Sequence, residues 1–357
     1  MVPSATSPYL FFQHREFDEP NLDIARTGAS DEERCEEPDC YFVRPGTNES
    51  VGRLQNAFRL VPADVPDQVS AIQLTIRMLE RLHPSSQKPP QVMLICDHTA
   101  HNGAAIYSRP MCDYLARYTS HRDLIAGRET PADYRIVSSK NIDMDHGDLG
   151  GLVTAIRATN PNYIVLVGYT ELAWPVLQGL KERDESDPKT RGHKRQFIMS
   201  DGAFSDDTPD DLRESAIIYF THFSHPHHDT CEAQRSMPAR ANSRESTQSV
   251  VAKPVGETAE PFAYDAVLIL ARGVKHCGDH LDRACLVDFL THQQNLTGHY
   301  EHYDFHLGER QHAAYYVYNE QKRRKGDPLQ PEWYANREDD SLRPYSDECL
   351  GPPISWE

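Results

Sequence analysis

The sequence predicts an α/β protein whose doubly wound, mostly parallel sheets are arranged in two lobes. Three observations carry this expectation. From Phe58 onward, short β-rich runs alternate with segments whose apolar residues recur at helical spacing. The alternation repeats several times, which is the pattern of a parallel sheet covered by crossover helices. The chain of 357 residues is also long enough for two ordinary cores.

Taken in order, the pattern predicts a helix at Val69–Leu82, ended by the Pro-rich SSQKPP. QVMLIC (Gln91–Cys96) reads as a strand and Ala104–Tyr118 as an amphipathic helix. Tyr134–Ser138 is then a strand, Asp148–Ala158 a helix and Tyr163–Val167 a strand. Leu172–Glu182 is a helix, and Gln196–Ser200 and Ala216–Thr221 are strands. Two stretches interrupt the rhythm: the acidic Gln13–Asn56 and the Ser/Arg/His-rich Ser224–Glu260. Beyond them lie helices at Pro261–Lys275 and Leu281–Gln294, then HYEHYDFH and AAYYVYNE as strands. After Lys322 the chain is rich in Pro, Asp and Arg, as expected of a surface tail. A doubly wound sheet takes its ligands at the carboxyl ends of its strands, so the loops after Cys96, Val167 and Ser200 are the ones to inspect.

Composition narrows the function. With 54 acidic and 37 basic side chains the formal charge is -17, which repels a phosphate backbone. The one dense basic run, Lys322–Lys325, reads as a solvated strand end, so nucleic acid is not an expected partner. The longest apolar stretches fall far short of the roughly 20 residues of a membrane-spanning helix. The start, MVPSATSPYLFF, lacks the basic-then-apolar form of a signal peptide. Eight cysteines, an even number, fit an oxidising compartment. Cys35 with Cys40 and Cys277 with Cys285 are near enough in sequence to close local bridges. Cys96 in its strand and Cys112 on its helix read instead as small buried hydrophobes. GxSxG, GxGxxG, a P-loop and HExxH are all absent, so no enzyme class and no cofactor is implied.

Several segments, in the right order, carry a resemblance: VPSATSP, FRLVPADVPDQ, PNYIVLVGYTELAWPVLQGLKE, QFIMSDG, AEPFAYDAVLILARGVK and LTGHYEHYDFHLGERQHAAYYVY. Together they resemble the type I periplasmic binding proteins, in particular the leucine/isoleucine/valine-binding family that serves ABC transporters. The resemblance implies a non-catalytic protein, extracytoplasmic in its complete form, that closes on a small polar, amino-acid-like ligand and delivers it to a membrane permease. In that family about a hundred residues precede the SATSP-like loop, so the first lobe is expected to be incomplete here. The implied division runs as follows. Residues 1–12 are the remnant of the first lobe's ligand loop and 13–56 an insertion, while 57–221 form the second lobe. Residues 222–310 return to the first lobe, 311–322 are the second lobe's return strand and 323–357 the tail. Helix Pro261–Lys275, whose family counterpart lies on the first lobe's sheet, is expected to leave Phe262, Ala266, Leu268, Leu270 and Val274 without a partner surface.

The resemblance also implies site residues. Ser4, Ala5 and Thr6 supply hydroxyl and backbone donors to a carboxylate, or simply form a Ser/Thr turn before Pro8. Asp201 takes the ligand's ammonium, or opens an Asp-Gly turn. Tyr169 walls the cleft, and His101 stands where the family commonly carries tyrosine. His101 also lies close enough to Asp97 in sequence to be drawn as an acid–base pair. Two other readings remain: the sensing part of a receptor, and a metal site in HFSHPHHDTC built from His222, His225, His227, His228 and Cys231.

Overall fold

The structure is a computed structural model. It describes residues 9–11, 57–60, 62, 64–126, 131–205, 207–223, 260–278 and 283–293. Between 296 and 345 it describes 296–298, 302–303, 305–306, 309–310, 314–323, 329, 331–336 and 342–345. Strands β1 (Tyr9–Phe11) and β2 (Ala57–Arg59) pair antiparallel, so residues on both sides of the 13–56 stretch lie side by side. A turn, Asp64–Gln68, then leads into α1 (Val69–Leu82).

The α/β alternation follows as expected, with the short helix α3 in addition: β3 (Gln91–Asp97), α2 (Ala104–Arg117), α3 (His121–Ala126), β4 (Arg135–Ile142), α4 (Leu149–Thr159) and β5 (Tyr163–Val167). It continues through α5 (Thr170–Ser186), β6 (Arg195–Met199), α6 (Asp210–Ser215) and β7 (Ala216–His222). The boundaries have local causes. The Asp148 side chain accepts the Gly151 N–H at 2.8 Å to start α4, and Asn160 in the left-handed region (φ 44°) ends it.

Beyond β7 come α7 (Glu260–Cys277), α8 (Arg283–His292) and the short strands β8 (Leu296–Thr297), β9 (His302–Tyr303), β10 (Phe305–His306) and β11 (Glu309–Arg310). The chain returns to the large sheet with β12 (Ala314–Asn319), β13 (Pro331–Asn336) and β14 (Leu342–Pro344). That sheet has eight strands in the order β14-β13-β12-β7-β6-β5-β3-β4. β4, β3, β5, β6 and β7 are mutually parallel, and β12 to β14 add antiparallel strands beyond β7.

Strand alternation sorts the core into two layers. Val92, Leu94 and Cys96 of β3 face Val69, Ile72, Ile76 and Leu79 of α1 and Met111 and Leu115 of α2. Met93 and Ile95 face the other way, onto Leu152, Val153 and Ile156 of α4 and Leu172, Val176 and Leu177 of α5. Both faces are therefore covered, as a parallel sheet requires. A third cluster joins Ala71 and Leu74, on another side of α1, to Phe262, Ala266 and Ile269 of α7 and Phe289 and Leu290 of α8.

Four expectations change. The tail was expected to lie on the surface, yet 331–336 and 342–344 are sheet strands that bury Ala335, because their alternating side chains find the edge that β12 leaves open. HYEHYDFH is not one strand: 302–303 and 305–306 enter two separate ladders, β8 with β9 and β10 with β11. Cys96 and Cys112 are not free hydrophobes but are joined in a disulfide, since α2 packs directly on β3. Helix α7 is only partly uncovered. Phe262, Ala266 and Ile269 are buried and Leu268 and Leu270 half-buried, while Val267 and Val274 stay 67% and 44% exposed. The local Cys277–Cys285 bridge is present and ties α7 to α8, whereas Cys35 and Cys40 lie outside the described residues.

Candidate functional site

The parallel strands run in the order 2-1-3-4-5, so the chain leaves β3 for one neighbour, β4, and later reaches the other, β5. In sheets of this kind ligands are taken at the carboxyl ends where the strand order reverses, which here is at the ends of β3 and β5. Asp97 closes β3, Gly168 and Tyr169 follow β5, and Asp201 and Gly202 follow β6 in a 3-10 turn, Asp201–Ala203.

The strand ends are packed tightly. A Cβ on Gly168 would stand 2.5 Å from Cβ of Asp97, and one on Gly202 would stand 2.7 Å from the Tyr169 ring and 2.8 Å from the Gly168 carbonyl oxygen. The glycine of the Asp-Gly pair is thus required by close approach to Tyr169 and not by a positive φ, since Gly202 does not have one.

Asp201 is 2% exposed. Its Oδ1 accepts a short hydrogen bond from the Tyr107 hydroxyl on α2, and its Oδ2, though buried, has no hydrogen-bond partner. Gln68 Oε1 lies 3.1 Å from the same hydroxyl, which has one proton to give and gives it to the carboxylate. The Gly202 N–H donates to that hydroxyl oxygen at 3.4 Å. Gln68 is itself oriented by donating through Nε2 to the Thr221 carbonyl and hydroxyl, both at 3.2 Å. The Tyr107 and Tyr169 rings stack with centroids 5.6 Å apart and planes 8° from parallel.

Burial pushes the Asp201 carboxyl up to about 6, with the Tyr107 hydroxyl partly opposing the shift by bonding its charged form. Burial, followed by the nearby Asp201 and Asp64 carboxylates, holds the Tyr107, Tyr169 and Tyr315 hydroxyls far above the ordinary tyrosine range. All three stay protonated. Tyr315, at the start of β12, is 1% exposed and its hydroxyl has no hydrogen-bond partner.

The structure thus brings Asp201 and Tyr169 together and adds Tyr107, Gln68 and Tyr315, which the sequence reading passed over. Tyr107 occupies a core position of an amphipathic helix, where only its hydroxyl signals a need for a polar partner. His101 is not part of this cluster. Its ring Nδ1 lies 2.9 Å from Asp145 Oδ2, with side chains 63% and 44% exposed. Nor does it pair with Asp97, whose carboxylate accepts the Thr99 N–H at 3.0 Å and the Tyr169 N–H at 3.4 Å. Ser4, Ala5 and Thr6 lie outside the described residues. Of the His/Cys loop only His222 is described, buried between the rings of Phe204 and Phe223 at 4.4 and 4.7 Å. Among the described residues no three His, Cys, Asp or Glu side chains are grouped to hold a metal ion, and no helix is long and apolar enough to cross a membrane.

A separate cavity of about 310 Å³ lies at the opposite ends of β6 and β7, among Lys181, Asp184, Arg195 and Asp211. Two pairs of its charges neutralise one another, Lys181 with Asp211 and Arg195 with Asp184. Asp201 Oδ2 and the Tyr315 hydroxyl, two of the buried polar atoms without a hydrogen-bond partner, lie instead at the carboxyl ends.

No protein-family model matches the chain, and no curated protein does. Solved structures resemble it at low identity. A branched chain amino acid ABC transporter periplasmic ligand-binding protein from Burkholderia xenovorans LB400 aligns at 13% identity with a TM-score of 0.46, covering 76% of this chain and 64% of that one. A periplasmic binding protein from Burkholderia mallei aligns at 10% identity, TM-score 0.48, with the same coverage. A leucine-binding protein from Thermotoga maritima MSB8 aligns at 15% identity, TM-score 0.46, covering 75% of this chain and 65% of that one. The chain therefore spans slightly less than two thirds of these proteins, and the α/β fold described above rests on its own sheet order.

Proposed function

We propose that this chain is the ligand-binding part of a solute-binding protein, acting without catalysis and passing a small amino-acid-like molecule to the permease of an ABC-type transporter. The observation that carries the reading is the Asp201 carboxylate, buried past the end of β6 beside the switch point with one oxygen lacking a hydrogen-bond partner. An ammonium group supplies the missing donor, and the stacked Tyr107 and Tyr169 rings offer it a wall. Ser4, Ala5 and Thr6 are proposed to hold the ligand's carboxylate. His101 is proposed as a rim contact that exchanges its Asp145 hydrogen bond for the ligand. Closure of one lobe on the other is the proposed mode of capture.

An extracytoplasmic site of action is part of the proposal. Every described cysteine, Cys96, Cys112, Cys277 and Cys285, is in a disulfide, as suits a protein matured in an oxidising compartment. The test of function is isothermal titration of the full chain with amino acids. Asp201→Ala is expected to weaken binding by about 2–5 kcal/mol, because the ligand's ammonium then lies buried and unpaired. Unchanged affinity removes Asp201 from the site.

A further inference from the structure

The Tyr107 hydroxyl, past the end of β6, faces three groups and carries one proton. It meets Asp201 Oδ1, Gln68 Oε1 at 3.1 Å and the Gly202 N–H at 3.4 Å. Gly202 donates, so Asp201 and Gln68 compete as acceptors for that proton. Gln68 cannot turn its amide to escape the competition. The Thr221 carbonyl, 3.2 Å from Nε2, can only accept, which fixes the amide nitrogen toward β7 and the amide oxygen toward Tyr107. The second N–H goes to the Thr221 hydroxyl, also at 3.2 Å, and that hydroxyl gives its own proton to the Met199 carbonyl at 3.2 Å. With both N–H groups spent on Thr221, Gln68 has none left for the Asp201 carboxylate. Gln68 and Thr221 are both fully buried, so bulk water does not relax this order.

The chain from Met199 through Thr221, Gln68 and Tyr107 to Asp201 is fully satisfied in one arrangement. Asp201 then carries a proton and donates it to the Tyr107 oxygen, Tyr107 donates to Gln68, and Gln68 donates to Thr221. When Asp201 is ionised, Tyr107 turns its proton to the carboxylate and Gln68 Oε1 loses its donor. From this geometry we propose that Gln68 is a positioning residue of the site. By drawing the Tyr107 proton toward itself it favours the neutral form of Asp201, so that an ammonium group is taken up in exchange for a proton. The exchange rests on the proposed role of Asp201; the action of Gln68 on Asp201 does not. Burial pushes the same carboxyl in the same direction, to about 6. The other titratable groups acting on the tyrosines here are Asp64 and Asp67 on the turn, Asp97 at the end of β3, and Glu171 on α5. Tyr169 and Tyr315 stay protonated, and none of these groups changes in the variants compared below.

The test follows protonation directly, by carbon NMR of the Asp201 and Gln68 side-chain carbonyls in the ligand-free full chain, from about pH 4 to 8. In the wild type the Gln68 carbonyl is expected to move with the same midpoint as Asp201, because it gains the Tyr107 proton as Asp201 becomes neutral. A Gln68 carbonyl that stays still while Asp201 titrates overturns the proposal, and this measurement needs no variant to fold. Gln68→Met is expected to lower the Asp201 midpoint by about one pH unit, and to leave it unmoved in a Tyr107→Phe background, since Gln68 acts through that hydroxyl. A midpoint that rises or stays in Gln68→Met, or a shift that survives Tyr107→Phe, overturns the proposal. The exchange is tested by calorimetric titration with L-leucine. At pH 5 about a tenth of Asp201 is ionised with a midpoint near 6 and about half with one near 5, so Gln68→Met is expected to bind about fivefold more tightly than the wild type. At pH 7.5 the two are expected to agree within about twofold, whereas a merely structural defect weakens binding at both pH values. If the midpoints behave as expected but L-leucine binds independently of pH or not at all, the action of Gln68 on Asp201 stands and the proposed amino-acid role of Asp201 fails.

Discussion

Strand β6 has a buried aspartate near each end, and the two are treated in opposite ways. At its amino end, Asp184 is met by Arg195, whose Nε and terminal nitrogen reach the two carboxylate oxygens at 3.1 and 3.4 Å. Arg157 adds a third contact at 3.0 Å and a fourth bond to Asp187 at 2.6 Å. At the carboxyl end, Asp201 has a tyrosine hydroxyl on one oxygen and no hydrogen-bond partner on the other. Burying a charge is unfavourable unless it is paired and hydrogen-bonded, so the first arrangement holds the fold together while the second works against it. The proposed ligand's ammonium would supply the partner that this carboxylate oxygen lacks.

The largest expected effect is at the paired end. Arg195→Met leaves Asp184 buried with Arg157 alone and should destabilise the protein by about 3 kcal/mol, toward the low end of what breaking a buried pair costs. Urea unfolding measures it, and a change under about 1 kcal/mol would erase the contrast between the two ends.

Asp201→Asn should do the reverse. Burial raises this carboxyl from its ordinary value of 3.8 to about 6, so between those values the folded chain keeps a proton that the unfolded chain has released. Its contribution to stability is complete below about pH 4, is lost as pH rises through about 6, and stays lost above that. A shift of about two units corresponds to at most about 3 kcal/mol. The Asn variant should therefore match the wild type near pH 4 and exceed it by about 2–3 kcal/mol at pH 7.5, while binding no ammonium ligand. Urea melts of both proteins at the two pH values give the comparison, and a constant difference would mean that Asp201 does not titrate as described.

Gly202→Ala sharpens the picture of the carboxyl end. The new methyl meets the Tyr169 ring, which can turn aside, and the Gly168 carbonyl, which cannot, so a loss of about 1–3 kcal/mol is expected. Thermal unfolding detects it, and a loss that Tyr169→Leu fully rescues would place the whole strain on the ring. His101→Ala should have the smallest effect. Its pairing with Asp145 is solvent-exposed, so stability should stay within about 0.5 kcal/mol, and any loss of ligand affinity in the same variant reports a direct contact.

Much of the layered domain is legible in the sequence because its strands and helices carry their own periodicity. QVMLIC and YIVLV are apolar on both faces since both faces are covered, and Val69, Ile72, Ile76 and Leu79 mark one side of α1. Asp201 and Tyr169 are legible as residues just past strand ends. Tyr107, Gln68 and Tyr315 are not. Each sits in an element that reads as core or turn, and its role appears only when α2, the Asp64–Gln68 turn and β12 converge on the end of β6.

The sequence by itself determined the succession of the parallel strands β3 to β7, the acidic balance and the local Cys277–Cys285 bridge, because these depend on neighbours in the chain. Tertiary structure decided what depends on distant residues meeting. It joined Cys96 to Cys112 across a strand and a helix and drew 331–336 and 342–344 into the sheet. It also gave two aspartates of the same chemistry opposite fates. Asp184 meets two guanidinium groups where α4, α5 and β6 come together, and Asp201 meets the single hydroxyl of Tyr107 past the end of β6, because packing chooses a side chain's partners and local sequence does not.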